Sequence, residues 1–204
     1  MREKQIFVEG IADAKLIQDL IKSWYNVELT IGKIGGEEAN PDILVVGGKD
    51  SISKLFPLFK INEKSDVGNI VIFDADNFGE ENTKFIEYKE KVALGYFLLP
   101  DNQSNGDLET LLEQIINPNN KFVIVCWDKF INCLETTSTN TFYKPSNKKK
   151  IYTYLELLLG EDSSTQGLKK ELGRDYQNQN HWDLNAPALV NLKQFLDQYF
   201  QKIP

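Results

Sequence analysis

The stretch NIVIFDADN, Asn69 to Asn77, decides how this chain folds. Residues 70–73 are apolar and mostly β-branched, which predicts a strand buried on both faces, as in the interior of a parallel sheet. The carboxylates begin where that strand ends. Asp74 and Asp76 stand two apart, so in extended backbone both project to one side at the carboxyl edge of the sheet, where open α/β folds hold their ligands. Two acids so placed repel each other unless a cation lies between them, and a hard, oxygen-seeking ion such as Mg²⁺ or Mn²⁺ is the matching candidate. The plainer alternative makes Asp74 a cap for the next segment and Asp76-Asn77 a turn.

Working outward toward the amino end, residues 5–8 read as a short strand closed by Glu9-Gly10. Leu16, Ile17, Leu20, Ile21 and Trp24 then repeat at helical spacing, so Glu9 falls at a strand-to-helix turn. Asp13 lies in the first helical turn and reads as a cap before it reads as a ligand. Strands are expected at residues 27–31 and 43–46, the latter running into Gly47-Gly48-Lys49-Asp50-Ser51. Gly48 and Lys49 could receive a phosphate on backbone N–H groups and an ammonium, although a simple glycine turn explains them as well. A helix limited or kinked by Pro57 follows over residues 52–59. Beyond the central stretch come a helix over residues 83–92, a strand over 94–99 and a polar loop over 101–106. A helix then begins at Asp107, which reads as its N-cap with Glu109 in the first turn. Strands alternating with helices in this way predict a parallel sheet with covering helices.

The rest of the chain reads as helical. Residues 122–134 repeat apolar side chains at helical spacing, which would put Cys126 and Cys133 on one buried face. Residues 135–147 read as a linker, and the run Lys148-Lys149-Lys150 is the strongest basic cluster present. A helix over 151–159, a polar helical segment over 162–176 and a final helix over 188–200 complete the expectation. The lone histidine, His181, reads as structural. The division expected is an α/β core over residues 1–118 and a helical extension packed on it over 119–204.

Composition narrows the functional classes. With 204 residues, 41% of them hydrophobic, the chain can bury a substantial core. No segment approaches the roughly 20 apolar residues of a membrane helix, and no signal-like apolar stretch opens the chain, so a cytoplasmic protein is expected. Two cysteines without a histidine cluster indicate neither a zinc site nor a disulfide framework. A net charge of −7 opposes a protein devoted to gripping a phosphate backbone, yet it is compatible with a nuclease whose acids hold metal.

Phe7-Val8-Glu9-Gly10 with Asp13, the stretch VVGGKD ending at Asp50, and Phe73-Asp74-Ala75-Asp76 together resemble the Toprim domain of topoisomerases, primases and nucleases of the overcoming-lysogenization-defect type. LLPDN followed by GDLETLL, and the late WDLNAP before a final helix, are similar to the Toprim-like DUF3226 group of bacterial proteins. The Toprim resemblance covers residues 5 to 115. It implies that Glu9 is a general acid or base or a metal ligand, that Asp74 and Asp76 form the metal pair, and that Glu109, or else Asp107, is a further acidic ligand. With one or two Mg²⁺ or Mn²⁺ ions the expected activity is phosphodiester chemistry on DNA or RNA by a small nuclease. The alternative is a catalytically silent metal- or nucleotide-binding module working with a partner such as an ATPase. The chain departs from the resemblance in having no fused ATPase, no zinc ribbon and no topoisomerase tyrosine motif.

Overall fold

The computed structural model describes residues 3–38, 40–137, 143–160 and 166–201, with Lys49 and Asp50 described in their backbone only. Five strands form one sheet: β1 (Lys4–Val8), β2 (Ile31–Lys33), β3 (Ile43–Val45), β4 (Gly68–Asp74) and β5 (Gly95–Leu99). Their order is β2-β3-β1-β4-β5 and every pairing is parallel. The eight helices described are α1 (Ile11–Tyr25), α2 (Phe56–Lys64), α3 (Phe78–Lys89), α4 (Leu108–Gln114), α5 (Lys121–Thr137), α6 (Asn147–Leu159), α7 (Gln166–Lys169) and α8 (Val190–Phe200). This is the α/β architecture that the central stretch predicts.

The period-2 alternation of strand side chains divides the interior into two layers. On one face Ile6, Val8, Ile70, Ile72, Phe97 and Leu99 pack with α1, α4, α6 and α8. On the other, Phe7, Val71, Phe73 and Leu98 pack with Phe59 of α2 and Phe85 of α3. Helices on both sides explain why β4 reads as a continuous apolar run rather than an alternating one. At the amino edge of the sheet a buried polar network replaces packing: Asn62 donates to Gln5 at 3.0 Å and to Asn69 at 2.9 Å, and Asn69 donates to the Ala93 carbonyl at 2.9 Å.

Several boundaries differ from the sequence expectation. The second strand lies at Ile31–Lys33, not at 27–31: the Thr30 carbonyl accepts the first ladder bond, from the Ile43 N–H at 2.9 Å, while the Thr30 N–H (2.9 Å) and hydroxyl (3.0 Å) both donate to the Asp42 side chain. The helix after the central stretch starts at Phe78, well before residue 83, with the Asn77 side chain accepting from the Glu80 N–H. A 3₁₀ turn over Lys49–Leu55 precedes α2, and Pro57 sits in the first turn of α2, where its missing N–H costs no bond. Of the polar segment 162–176, residues 162–165 lie outside the described residues. Residues 166–173 form α7 and a short 3₁₀ turn, with extended backbone at Arg174. Cys126 and Cys133 are exposed, which corrects the expectation of a buried pair. The docked side of α5 carries Val123 and Ile131, while Phe122, Val125 and Phe130 are exposed. Apolar residues all round this helix leave periodicity unable to fix which face is buried.

Candidate functional site at the carboxyl edge of the sheet

Three chain segments meet at the carboxyl ends of β1, β4 and β5. After β1, Glu9 and Gly10 turn directly into α1, and the Gly10 N–H donates to the Asp13 carboxylate at 2.9 Å. Gly47, with φ of +67° that favours glycine, donates its N–H to the Glu9 carbonyl at 3.0 Å, which sets the glycine turn beside Glu9. After β4, Ala75 and Gly106 exchange backbone bonds of 2.9 and 2.8 Å as an antiparallel bridge. That bridge folds the loop from β5 back over the end of β4. Consequently the Leu108 N–H at the start of α4 reaches Asp74 Oδ1 at 2.9 Å.

The carboxylates gathered here raise one another's proton affinity. Asp74 is pushed up to about 8, chiefly by burial and then by the charges of Asp13, Glu9 and Asp107, against the Leu108 N–H. Asp13, 6% exposed, is pushed up to about 7 by burial and by Glu9 and Glu109, with the Gly10 N–H opposing. Burial also raises Glu109, the Asp107 charge adding to it, while Lys148 and Arg174 pull the other way. Each shift has one physical content: negative charge is disfavoured at this rim, and a positive neighbour would restore it.

Of the residues expected from sequence, Glu9, Asp74, Asp107 and Glu109 therefore act on one another, and Asp13 joins them. Asp107 has one carboxylate oxygen committed to the α4 cap, accepting from the Thr110 N–H at 2.8 Å and its hydroxyl at 2.5 Å. Asp76 is exposed, beyond the bridge residue Ala75. Gly48 caps the 3₁₀ turn from the same glycine pair that abuts Glu9, and the Lys49 side chain lies outside the described residues. Oxygen-only donors fit Mg²⁺ or Mn²⁺, and Asp13 Oδ1 is buried with no hydrogen-bond partner among the described residues, as a ligand atom would be. Among the described residues, however, no three His, Cys, Asp or Glu side chains are drawn close enough together to cage an ion.

Two lysines of the run are ion-paired: Lys150 meets Glu113 at 2.9 Å and Asp128 at 3.1 Å, and Lys148 meets Glu171. His181 serves through its backbone, its carbonyl accepting from Asn117 N–H at 2.9 Å and from the Tyr154 hydroxyl. A cleft of 450 Å³ lined by Glu63, Lys89, Gly95 and Tyr199 lies at the amino edge, away from these acids. Sequence reading passed over Arg174 and Tyr176, which stand beside the rim. One signal was present: of 23 basic residues only Arg2 and Arg174 are arginine, the side chain suited to planar anion recognition.

No curated protein and no solved structure matches the chain. The family model described as "Protein of unknown function (DUF3226)" matches residues 3–201, and with nearly the whole length covered the chain belongs to the DUF3226 family.

Proposed function

We propose that this protein carries out divalent-metal-dependent phosphodiester chemistry on DNA or RNA, as a small nuclease of Toprim type. The observation that carries the reading is the convergence of Glu9, Asp13, Asp74 and Glu109 at the carboxyl edge of a parallel sheet, with the proton affinities of Asp13, Asp74 and Glu109 all raised. Acids that resist ionisation together are suited to a cation. Drawn closer than they stand here, Asp13, Asp74 and Glu109 would hold Mg²⁺ or Mn²⁺, with Asp76 at the exposed lip and Asp107 dividing its carboxylate between cap and site. When bound, such an ion neutralises charge building on a phosphoryl group. Glu9, at the turn into α1, would take or give the proton.

The test combines purified protein with Mg²⁺ or Mn²⁺ and labelled single- and double-stranded DNA and RNA, alongside Asp74→Ala. Cleavage by the wild type and its loss in the variant are expected. Cleavage that is absent, or equal in both, overturns the assignment.

A second reading, a catalytically silent module acting with an ATPase partner, is favoured by two observations. No three acids are drawn together tightly enough to cage an ion among the described residues, and Lys148 and Lys150 are tied up in ion pairs. It predicts Mn²⁺ binding without turnover until an ATPase encoded beside the gene is added.

A further inference from the structure

Arg174 is 1% exposed, yet it makes no ion pair among the described residues. Its guanidinium donates one hydrogen bond, from Nη1 to the Tyr176 hydroxyl at 3.3 Å, and its centre lies 4.9 Å from the centroid of the Tyr152 ring. Nε and Nη2 are buried with no hydrogen-bond partner among the described residues. Those two atoms are the parallel donors on one side of the guanidinium plane, the pair that grips two oxygens of a phosphate or carboxylate at once. Buried donors of this kind are satisfied in nearly all folded proteins, so two together on a charged group require a reason.

Their surroundings supply one. The Tyr176 backbone N–H is fixed to Asp19 of α1 at 2.9 Å, and its ring packs 5.2 Å from that of Trp182, so the tyrosine that orients the guanidinium is immobilised against the helix that Glu9 and Gly10 introduce. Tyr176 feels the charges of Asp13 and Glu109, and Arg174 acts on Glu109, so the fork and the acidic rim share one electrostatic environment. A counter-ion built for those acids would touch one of them, and this guanidinium does not. Toward solvent, Glu171 accepts from the Tyr152 hydroxyl at 3.3 Å and pairs with Lys148, whose side chain is half-exposed. A carboxylate, Glu171, therefore bridges the ring that covers Arg174 and the half-exposed Lys148.

We infer that the C-terminal helical region supplies an anion subsite to this rim, in which Arg174 Nε and Nη2 grip a phosphate group and Lys148 exchanges Glu171 for it. This rests on the phosphodiester reading, and it makes the region after residue 120 part of the site: the sheet edge holds the cation and the extension holds the anion.

Inorganic phosphate is the probe, its binding to the full chain measured by calorimetry and by phosphate-dependent rise in melting temperature, with and without millimolar Mg²⁺, while Mn²⁺ binding is followed separately by electron paramagnetic resonance. Arg174→Met is expected to weaken phosphate at least tenfold and to leave Mn²⁺ affinity within twofold of wild type. Arg174→Lys keeps the charge and loses the fork, so it falls between the two. Glu171→Gln removes the resident carboxylate and tightens phosphate severalfold. Should Arg174→Met fail to fold, Arg174→Lys and Glu171→Gln decide. The subsite is overturned if the wild type binds no phosphate, or if none of these variants changes its affinity. Phosphate bound through Arg174 with no Mn²⁺ bound anywhere sustains the subsite and removes the metal reading; Mn²⁺ bound with no phosphate does the reverse.

Discussion

Asp74 accepts a hydrogen bond from the Leu108 N–H and faces the charges of Asp13, Glu9 and Asp107, so its ionised form is held at a cost that folding must meet. Asp74→Asn keeps the acceptor and removes the charge. In EDTA near pH 8 it is expected to raise stability by on the order of 2 kcal/mol, allowing for the partial exposure of the site, a gain of several degrees in melting temperature. The same variant should lose the metal-dependent stabilisation expected of the wild type, about 2.7 kcal/mol at a hundredfold excess of ion over Kd. Calorimetry with and without Mn²⁺ measures both; a variant that melts lower in EDTA would make Asp74 a structural cap. Asp107 separates differently, because its carboxylate satisfies the α4 cap. Asp107→Ala should cost about 1 kcal/mol with or without metal, and a large additional loss of the Mn²⁺ effect would promote it to ligand.

Among the elements, α1 is the joint between the sheet and the C-terminal helices. Asp19 on its buried side accepts from Lys15 at 2.6 Å and from the Tyr176 N–H at 2.9 Å, linking two parts of the chain far apart in sequence. Asp19→Ala leaves both donors without that acceptor and should destabilise by about 3 kcal/mol, read by urea denaturation. Elements with one clear signal were legible in advance. β4 announced itself through residues 70–73, α1 through Leu16, Ile17, Leu20 and Ile21, and the α4 cap through Asp107. Where two signals competed, sequence alone failed. Residues 27–31 have strand propensity, but the ladder with β3 begins only at the Thr30 carbonyl and runs over Ile31–Lys33. Glu9 and Asp74 could be singled out as candidates because each lies where a strand ends, whereas Asp13, inside α1, reads first as a cap; Arg174 gave no such signal, since its surroundings come from packing against Tyr152 and Tyr176, which share no local pattern with it.

For the whole molecule the raised carboxylates set how stability varies with pH. Asp13 and Asp74 rise from 3.8 to about 7 and about 8, so the fold holds protons that the unfolded chain has already released. Their contribution is complete below pH 3.8 and is lost as pH climbs through 7 and 8. Melting temperature in EDTA should therefore fall from about pH 5 to about pH 8 and level off above it, and millimolar Mg²⁺ should flatten the decline; a rise over that interval would contradict the burial of these acids. No helix among the described residues is long and apolar enough to cross a membrane. The strand order carries a consequence for the chain during its synthesis. β1 lies at the centre of the sheet, yet Ile6 pairs with Ile43 on one side and Ile70 on the other. Of these five strands β1 is made before the others, and its second edge stays unpaired until β4 arrives. Closing such loops before any ladder bond forms places folding in the slow, millisecond-to-second regime, and a nascent chain halted before residue 68 is expected to bind chaperones or aggregate, whereas one extended past residue 99 can close its sheet.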